Sequence, residues 1–220
     1  MTNRDDDVVL VRRHESGRMD IVLNRPERKN ALTIPMVTQL ASALGNAQED
    51  DTVTAVLLHG AGGCFSSGLD LAEVRPGEPA ISAAIAELHA RLAAFGKPLV
   101  GALERAAVNG AAAIALACDV LVVGEKSFLL VGEAEMGVAA PNNVRWLLAK
   151  YDVNQALHLT LACERQYGPD LLHRGFAYAM EPDEQVLARA TELAEKMASY
   201  PDDGGIAMKQ AILAHDRLNV

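Results

Sequence analysis

The sequence predicts an α/β fold, and three observations carry that reading. Short apolar runs recur along the first two thirds of the chain, amphipathic segments of helical period lie between them, and beyond Lys150 the pattern turns helical. Strands are expected at "VVLVRR" (Val8–Arg13), "MDIVLN" (Met19–Asn24), "TAVLLHG" (Thr54–Gly60), "LVGALE" (Leu99–Glu104) and "VLVVGE" (Val120–Glu125). The "ESGR" between the first two is a hairpin turn, since glycine tolerates the left-handed backbone such turns need. Val37, Leu40, Leu44 and Ala47 mark one helical face, with Thr33 placed to cap it and Pro35 tolerated in its first turn. Ile81, Ile85, Leu88, Leu92 and Phe95 mark another. Past Lys150, "VNQALHLTLACERQ", "DEQVLARATELAEKMASY" and "GIAMKQAILAHD" read as helices broken by "YGPD" and "YPDDGG". The expected division is therefore residues 1–150 for the α/β body and 151–220 for a helical C-terminal subdomain.

Composition narrows the functional classes. A chain of 220 residues can bury one substantial core, or a core plus a small subdomain. Half of its residues are hydrophobic but only 4% aromatic, so packing rests on Ala, Leu and Val. The net charge is −9 with no long basic run, which argues against nucleic acid as a partner. No apolar run reaches the ~18 residues of a membrane span, and the acidic "MTNRDDDVVL" lacks the order of a signal peptide, so a cytoplasmic, non-membrane protein is expected. Cys64, Cys118 and Cys163 form no C-x-x-C pair, and His59, His89 and His158 show no ligand spacing, so no metal is expected.

The stretch "GGCFSSGLD" (Gly62–Asp70), behind the third strand, admits several chemistries. As a dinucleotide fingerprint it offers Gly60 and Gly62, but Phe65 stands where the third glycine belongs. As a nucleophile elbow it lacks G-x-S-x-G around Ser66 or Ser67. A small-residue loop leaving a strand can also aim backbone N–H groups at a developing oxyanion. An ordinary glycine-rich connection remains open at this point.

Four stretches in order resemble the enoyl-CoA hydratase/isomerase, or crotonase, family: "LNRPERKNAL" (Leu23–Leu32), "GCFSSGLDLAEV" (Gly63–Val74), "GKPLVGALERAAVNG" (Gly96–Gly110) and "SFLLVGEAEMGV" (Ser127–Val138). The resemblance implies a spiral of ββα repeats followed by helices that build a homotrimer or a dimer of trimers. It implies an acyl-CoA thioester as substrate and no separate cofactor. Carried over by position, it implies Ser67 N–H as the first oxyanion donor, with Gly68, Leu69 and Asp70 along the acyl-CoA channel. Lys29, Asn30 and Ala31 match the stretch near the CoA nucleotide, and Arg25 and Arg28 are cations that could reach its phosphates. Glu133 matches the acid/base carboxylate, with Glu135 expected to point the other way along an extended segment.

One stretch departs from the pattern. "VNGAAAIALACD" (Val108–Asp119) is several residues shorter than the family's glycine-rich turn, leaving Gly110 as the sole candidate for the second oxyanion donor. The position of a second glutamate found in hydratases falls on Ala113. The end of the chain also comes earlier than in the pattern, which shortens the helical subdomain. The expected activity is hydration or double-bond shift of an enoyl-CoA. Two rival readings stand beside it: an acyl-CoA binder without turnover, and a thioester hydrolase.

Overall fold

The computed structural model describes residues 7–75 and 77–218; the acidic residues 1–6, part of the N-terminal stretch read above, lie outside them. Strands β1 (Val9–Arg13) and β2 (Arg18–Leu23) pair antiparallel, Val11 opposite Ile21. They are joined by the expected tight turn, where Gly17 takes φ 90°. Helix α1 (Ile34–Glu49) begins where the Thr33 hydroxyl accepts the Met36 amide at 3.4 Å, with Pro35 in the first turn. There follow β3 (Ala55–Gly60), α2 (Pro79–Ala94), β4 (Leu99–Leu103), β5 (Ala106–Val108), α3 (Gly110–Ala117), β6 (Val120–Gly124), β7 (Phe128–Leu130) and α4 (Pro141–Lys150). Beyond Lys150 come α5 (Val153–Ala162), β8 (Gln166–Tyr167), α6 (Gly168–His173), β9 (Ala179–Glu181), α7 (Val186–Ala198) and α8 (Gly204–Leu218).

Two sheets organise these elements. The larger has the order β1-β2-β3-β4-β6-β9 and is parallel from β2 onward, while the smaller has the order β5-β7-β8. Isolated parallel bridges Ser66–Ala107 and Leu32–Leu69 extend the smaller sheet past β5, drawing the glycine-rich loop into it. A strand pair followed by a helix thus recurs along the chain, the ββα spiral that the resemblance implied. Strands β5, β7, β8 and β9 have three residues or fewer, too short to show an alternating pattern, and the sequence reading had missed them. Two of them fall within the stretch read as wholly helical. Helix α7 buries Val186, Ala190, Leu193 and Ala194 against Leu57, Val100, Ala102 and Val122 of the larger sheet. No helix among the described residues is long and apolar enough to cross a membrane.

Helices α2 and α4 are fastened across the core by one polar contact. Trp146 Nε1–H donates to His89 Nδ1 at 2.9 Å, both rings buried. Burial, aided by the nearby Arg145 charge, pushes the imidazole down to about 4, so it serves as a neutral acceptor. An unfolded chain takes up this proton near pH 6.5, whereas the native state refuses it until about pH 4. Stability should therefore fall as pH drops through that window, by up to about 3 kcal/mol from this residue. In urea titrations, the loss of unfolding free energy between pH 7 and pH 4.5 is expected to be smaller in His89→Gln than in the parent. Equal losses would refute the assignment.

Candidate active site

The loop Phe65–Asp70 spends nearly all of its amides on structure. Phe65 N–H donates to Glu104 O, Ser66 N–H to Ala106 O, Gly68 N–H to Ser66 Oγ and Asp70 N–H to Leu32 O. The Ser67 amide donates to Lys29 O at 3.0 Å. Ser67 N–H, expected as the first oxyanion donor, is therefore engaged and cannot serve. The amide of Leu69 is the only one of this run with no acceptor among the described residues. Gly68 sits at φ 88° and its missing Cβ would lie 2.7 Å from Val108 O, so glycine is required where the loop passes β5. The turn at Gly68 separates the engaged amide of Ser67, matched by position in the resemblance, from the amide of Leu69.

The second candidate donor lies across the same cavity. The chain runs without interruption from β5 through Asn109 into α3, which begins at Gly110. Asn109 O accepts from the amides of Ala112 and Ala113, leaving those of Gly110 and Ala111 without an acceptor among the described residues. Every residue of α3 after Gly110 is buried, and its far end is closed by the ammonium of Lys150, which donates to Leu116 O, Ala117 O and Cys118 O. The helix dipole thus presents its positive end at Gly110.

Glu133 opens a 3-10 turn (Glu133–Met136), so the segment is not extended as the sequence suggested, although Glu135 does stand out in solvent. Glu133 Oε1 accepts from Asn143 Nδ2 at 3.0 Å, while Glu133 Oε2 is buried without a partner. Burial pushes this carboxyl above its ordinary range, opposed by its own backbone amide and the Asn143 hydrogen bond. Ser67, Gly68, Leu69, Asn109, Gly110 and Glu133 line one cavity of about 630 Å³, whose remaining walls are mainly aliphatic. Among its described lining residues, Glu133 is the only ionisable one. Ala113 is buried within α3 and does not line it.

The N-terminal cations separate into structural and open groups. Arg25 donates to Ala31 O, Asp70 and Glu73, and its side chain is only 12% exposed. Arg28 also pairs with Asp70 and, as the leading cause, holds that carboxyl below its usual range. Asp70 is thus a buried partner of two arginines at the edge of a second cavity. Asn30 is fully buried: it accepts the Arg25 amide and donates to Ala61 O and Cys64 O, bracing the loop from within. Lys29 is exposed, and with Arg28, Ala31, Leu69 and Asp70 it lines a second cavity of about 420 Å³. Ser67, Leu69 and Leu71 belong to both cavities. Asn109 and Asn143 escaped the sequence reading; the doubled asparagine after Pro141 was the one local signal. Among the described residues no group of three His, Cys, Asp or Glu could hold a metal.

Comparison with known proteins identifies the family and the fold. The family model for enoyl-CoA hydratase/isomerase matches residues 13–219. The 1,2-epoxyphenylacetyl-CoA isomerase of Escherichia coli (strain K12) is 30% identical, over 90% of this chain and 79% of that protein. The 2,3-dehydroadipyl-CoA hydratase of the same strain is 29% identical, over 87% of this chain and 76% of its own length. A solved enoyl-CoA hydratase from Mycobacterium avium subsp. paratuberculosis K-10 superposes with TM-score 0.85 at 27% identity, over 96% of this chain and 83% of that one.

The unpaired carboxylate carries a stability signature. Because the folded pKa is raised, the ionised form is disfavoured in the native state, and the penalty acts above that value and disappears below the ordinary Glu range near 4.3. Glu133→Gln should therefore melt at a higher temperature than the parent at pH 8, the gap closing toward pH 4. A variant that melts lower at pH 8 would contradict the burial of that oxygen.

Proposed function

This chain belongs to the enoyl-CoA hydratase/isomerase family, and from that premise we propose that it shifts the double bond of an enoyl-CoA thioester by moving one proton along the acyl chain. It is an enzyme of hydratase or isomerase type. The observation that carries the finer reading is the meeting of one unpaired carboxylate oxygen, Glu133 Oε2, with the unpaired amides of Leu69 and Gly110 around one cavity. In a 3-enoyl thioester, Oε2 takes the proton from C2 and the electrons move onto the thioester oxygen. The Leu69 and Gly110 N–H groups hold the resulting enolate, and the same carboxyl returns the proton at C4 to give the 2-enoyl product. Each such donor is typically worth ~2.7–4 kcal/mol of barrier lowering. A carboxyl of raised pKa is the stronger base for this task.

Hydration would also need a water activated against the double bond, and the cavity offers no second ionisable group to do so. The second cavity is assigned to the CoA moiety, with Lys29 and Arg28 facing its phosphates and Arg25 engaged in bracing the loop. No cofactor enters this chemistry. The exposed apolar residues Leu148, Val153, Leu157 and Leu161 on α4 and α5 suit burial against a second copy, in line with a homotrimer or dimer of trimers. Sedimentation as a monomer at micromolar concentration would count against that assembly.

The kinetic test uses two thioesters. Trans-3-hexenoyl-CoA should gain conjugated enoyl absorbance, and crotonyl-CoA should lose it far more slowly. Glu133→Gln should lower kcat for the first by about 10²–10⁴-fold, and Lys29→Ala should raise KM with little change in kcat. Binding without turnover of either thioester would favour a holder of acyl-CoA. Release of free CoA thiol would favour hydrolysis.

A further inference from the structure

We propose that Asn143 is a positioning residue for Glu133: its amide occupies one carboxylate oxygen and leaves Oε2 as the single atom for proton transfer. This assignment rests on the proton-shift reading above. Asn143 Nδ2 reaches Glu133 Oε1 at 3.0 Å and Asn109 O at 3.2 Å. Both neighbours are acceptors, so the amide can only be oriented with its NH2 toward them. Asn143 is 1% exposed, and its Oδ1 is buried without a partner. A buried polar atom left unsatisfied is destabilising, so a purely structural role would be better served by an apolar side chain. Retaining the amide makes sense if its two N–H bonds do work at the site.

Those bonds do two things. They choose one rotamer for Glu133, because only one carboxylate oxygen can meet Nδ2 while the turn at Gly132 is held by Asn109 Oδ1 at 2.8 Å. They also tie the carboxylate to Asn109 O, the carbonyl that opens α3, so the base and the Gly110 amide share one scaffold. Helix α4 holds Asn143 in turn, starting at Pro141 and anchored one turn further along by Trp146 on His89. The groups facing the carboxyl are Asn109 from the β5–α3 junction, Asn143 from α4, Ser67 and Ser82 across the cavity, and its own backbone amide. None of these is charged, so the Asn143 donor is the main side-chain influence favouring the ionised form against burial.

The test titrates the carboxyl directly, so that it does not depend on turnover. Protein carrying glutamate labelled with 13C at the carboxyl is titrated by NMR, and the Glu133 resonance is identified by its loss in Glu133→Gln. Asn143→Leu should move the Glu133 titration to higher pH. Asn143→Asp, which sets a second carboxyl beside the first, should move it further. Thermal melts establish that each variant is folded. With trans-3-hexenoyl-CoA, both should lower kcat by about tenfold to a hundredfold, leave KM near the parent value and shift the acid limb of the pH profile upward. A Glu133 titration unchanged in both folded variants overturns the proposal, as does a loss confined to KM. A titration that moves in a protein turning over neither thioester upholds the grip of Asn143 on the carboxyl and overturns the proton-shift reading instead.

Discussion

The site depends on how one residue is held. Asn109 joins β5 to α3 with φ 53° and ψ −115°, a conformation that side-chain-bearing residues adopt at a cost of about 1–3 kcal/mol. Five hydrogen bonds hold it there. Its amide donates to Leu130 O, its carbonyl receives the N–H groups of Ala112 and Ala113 and the Asn143 amide, and its side-chain oxygen receives Gly132 N–H. At roughly 1 kcal/mol each, such bonds are enough to offset the strain. The return is geometric. One residue turns a strand of the smaller sheet into a helix whose first residue, Gly110, lines the cavity, and the same residue fixes the start of the turn that carries Glu133.

That junction also explains how a shortened connection can still build a site. The resemblance leads one to expect a longer glycine-rich turn before the helix, and here β5 passes into α3 through Asn109 alone. A helix starting this abruptly must lie close to its neighbours, and its content of alanine allows that: Ala111, Ala112 and Ala113 are all fully buried. A glutamate in place of Ala113 would need a polar partner inside that packing, and among the described residues Ala113 lines neither of the two cavities. The lost second carboxylate and the short turn are thus one structural fact. Lys150 completes it, since its ammonium meets the last carbonyls of α3 and removes the need for a longer C-terminal turn.

Much of this was legible in the chain. The hairpin at "ESGR", the Thr33 cap and the helix marked by Ile81, Leu88, Leu92 and Phe95 follow from turn chemistry and periodicity, and they appear as read. Ile85 shares that period and packs at the core's edge, yet it is only partly buried because it also lines the cavity; a period cannot say whether the opposite wall is filled. The order of the four motif stretches carried the family, and it carried Glu133 to the cavity wall. What the sequence concealed was direction. Ser67 and Leu69 lie on one short loop with the same chemistry available, and only the left-handed turn at Gly68 decides which amide is left unpaired. Arg25 likewise reads as a cation for a phosphate until Asp70, Glu73 and Ala31 O are seen to engage it, whereas Arg28 pairs with Asp70 and stays half exposed beside the second cavity.

An amide beside the base, where a second carboxylate could have stood, changes what the cavity can do. Two carboxylates a hydrogen bond apart cannot both ionise easily, so such a pair shares a proton and one member becomes an acid. An amide donates without competing for that proton. It favours the ionised form while burial opposes it. On the proton-shift reading, a proton taken from the substrate would rest on Glu133, the only ionisable group among the described residues lining the cavity. It would then return to whichever carbon of the delocalised enolate lies within reach of Oε2. On that reading the double-bond position in the product follows from the reach of one oxygen, and that reach from the amide holding its twin.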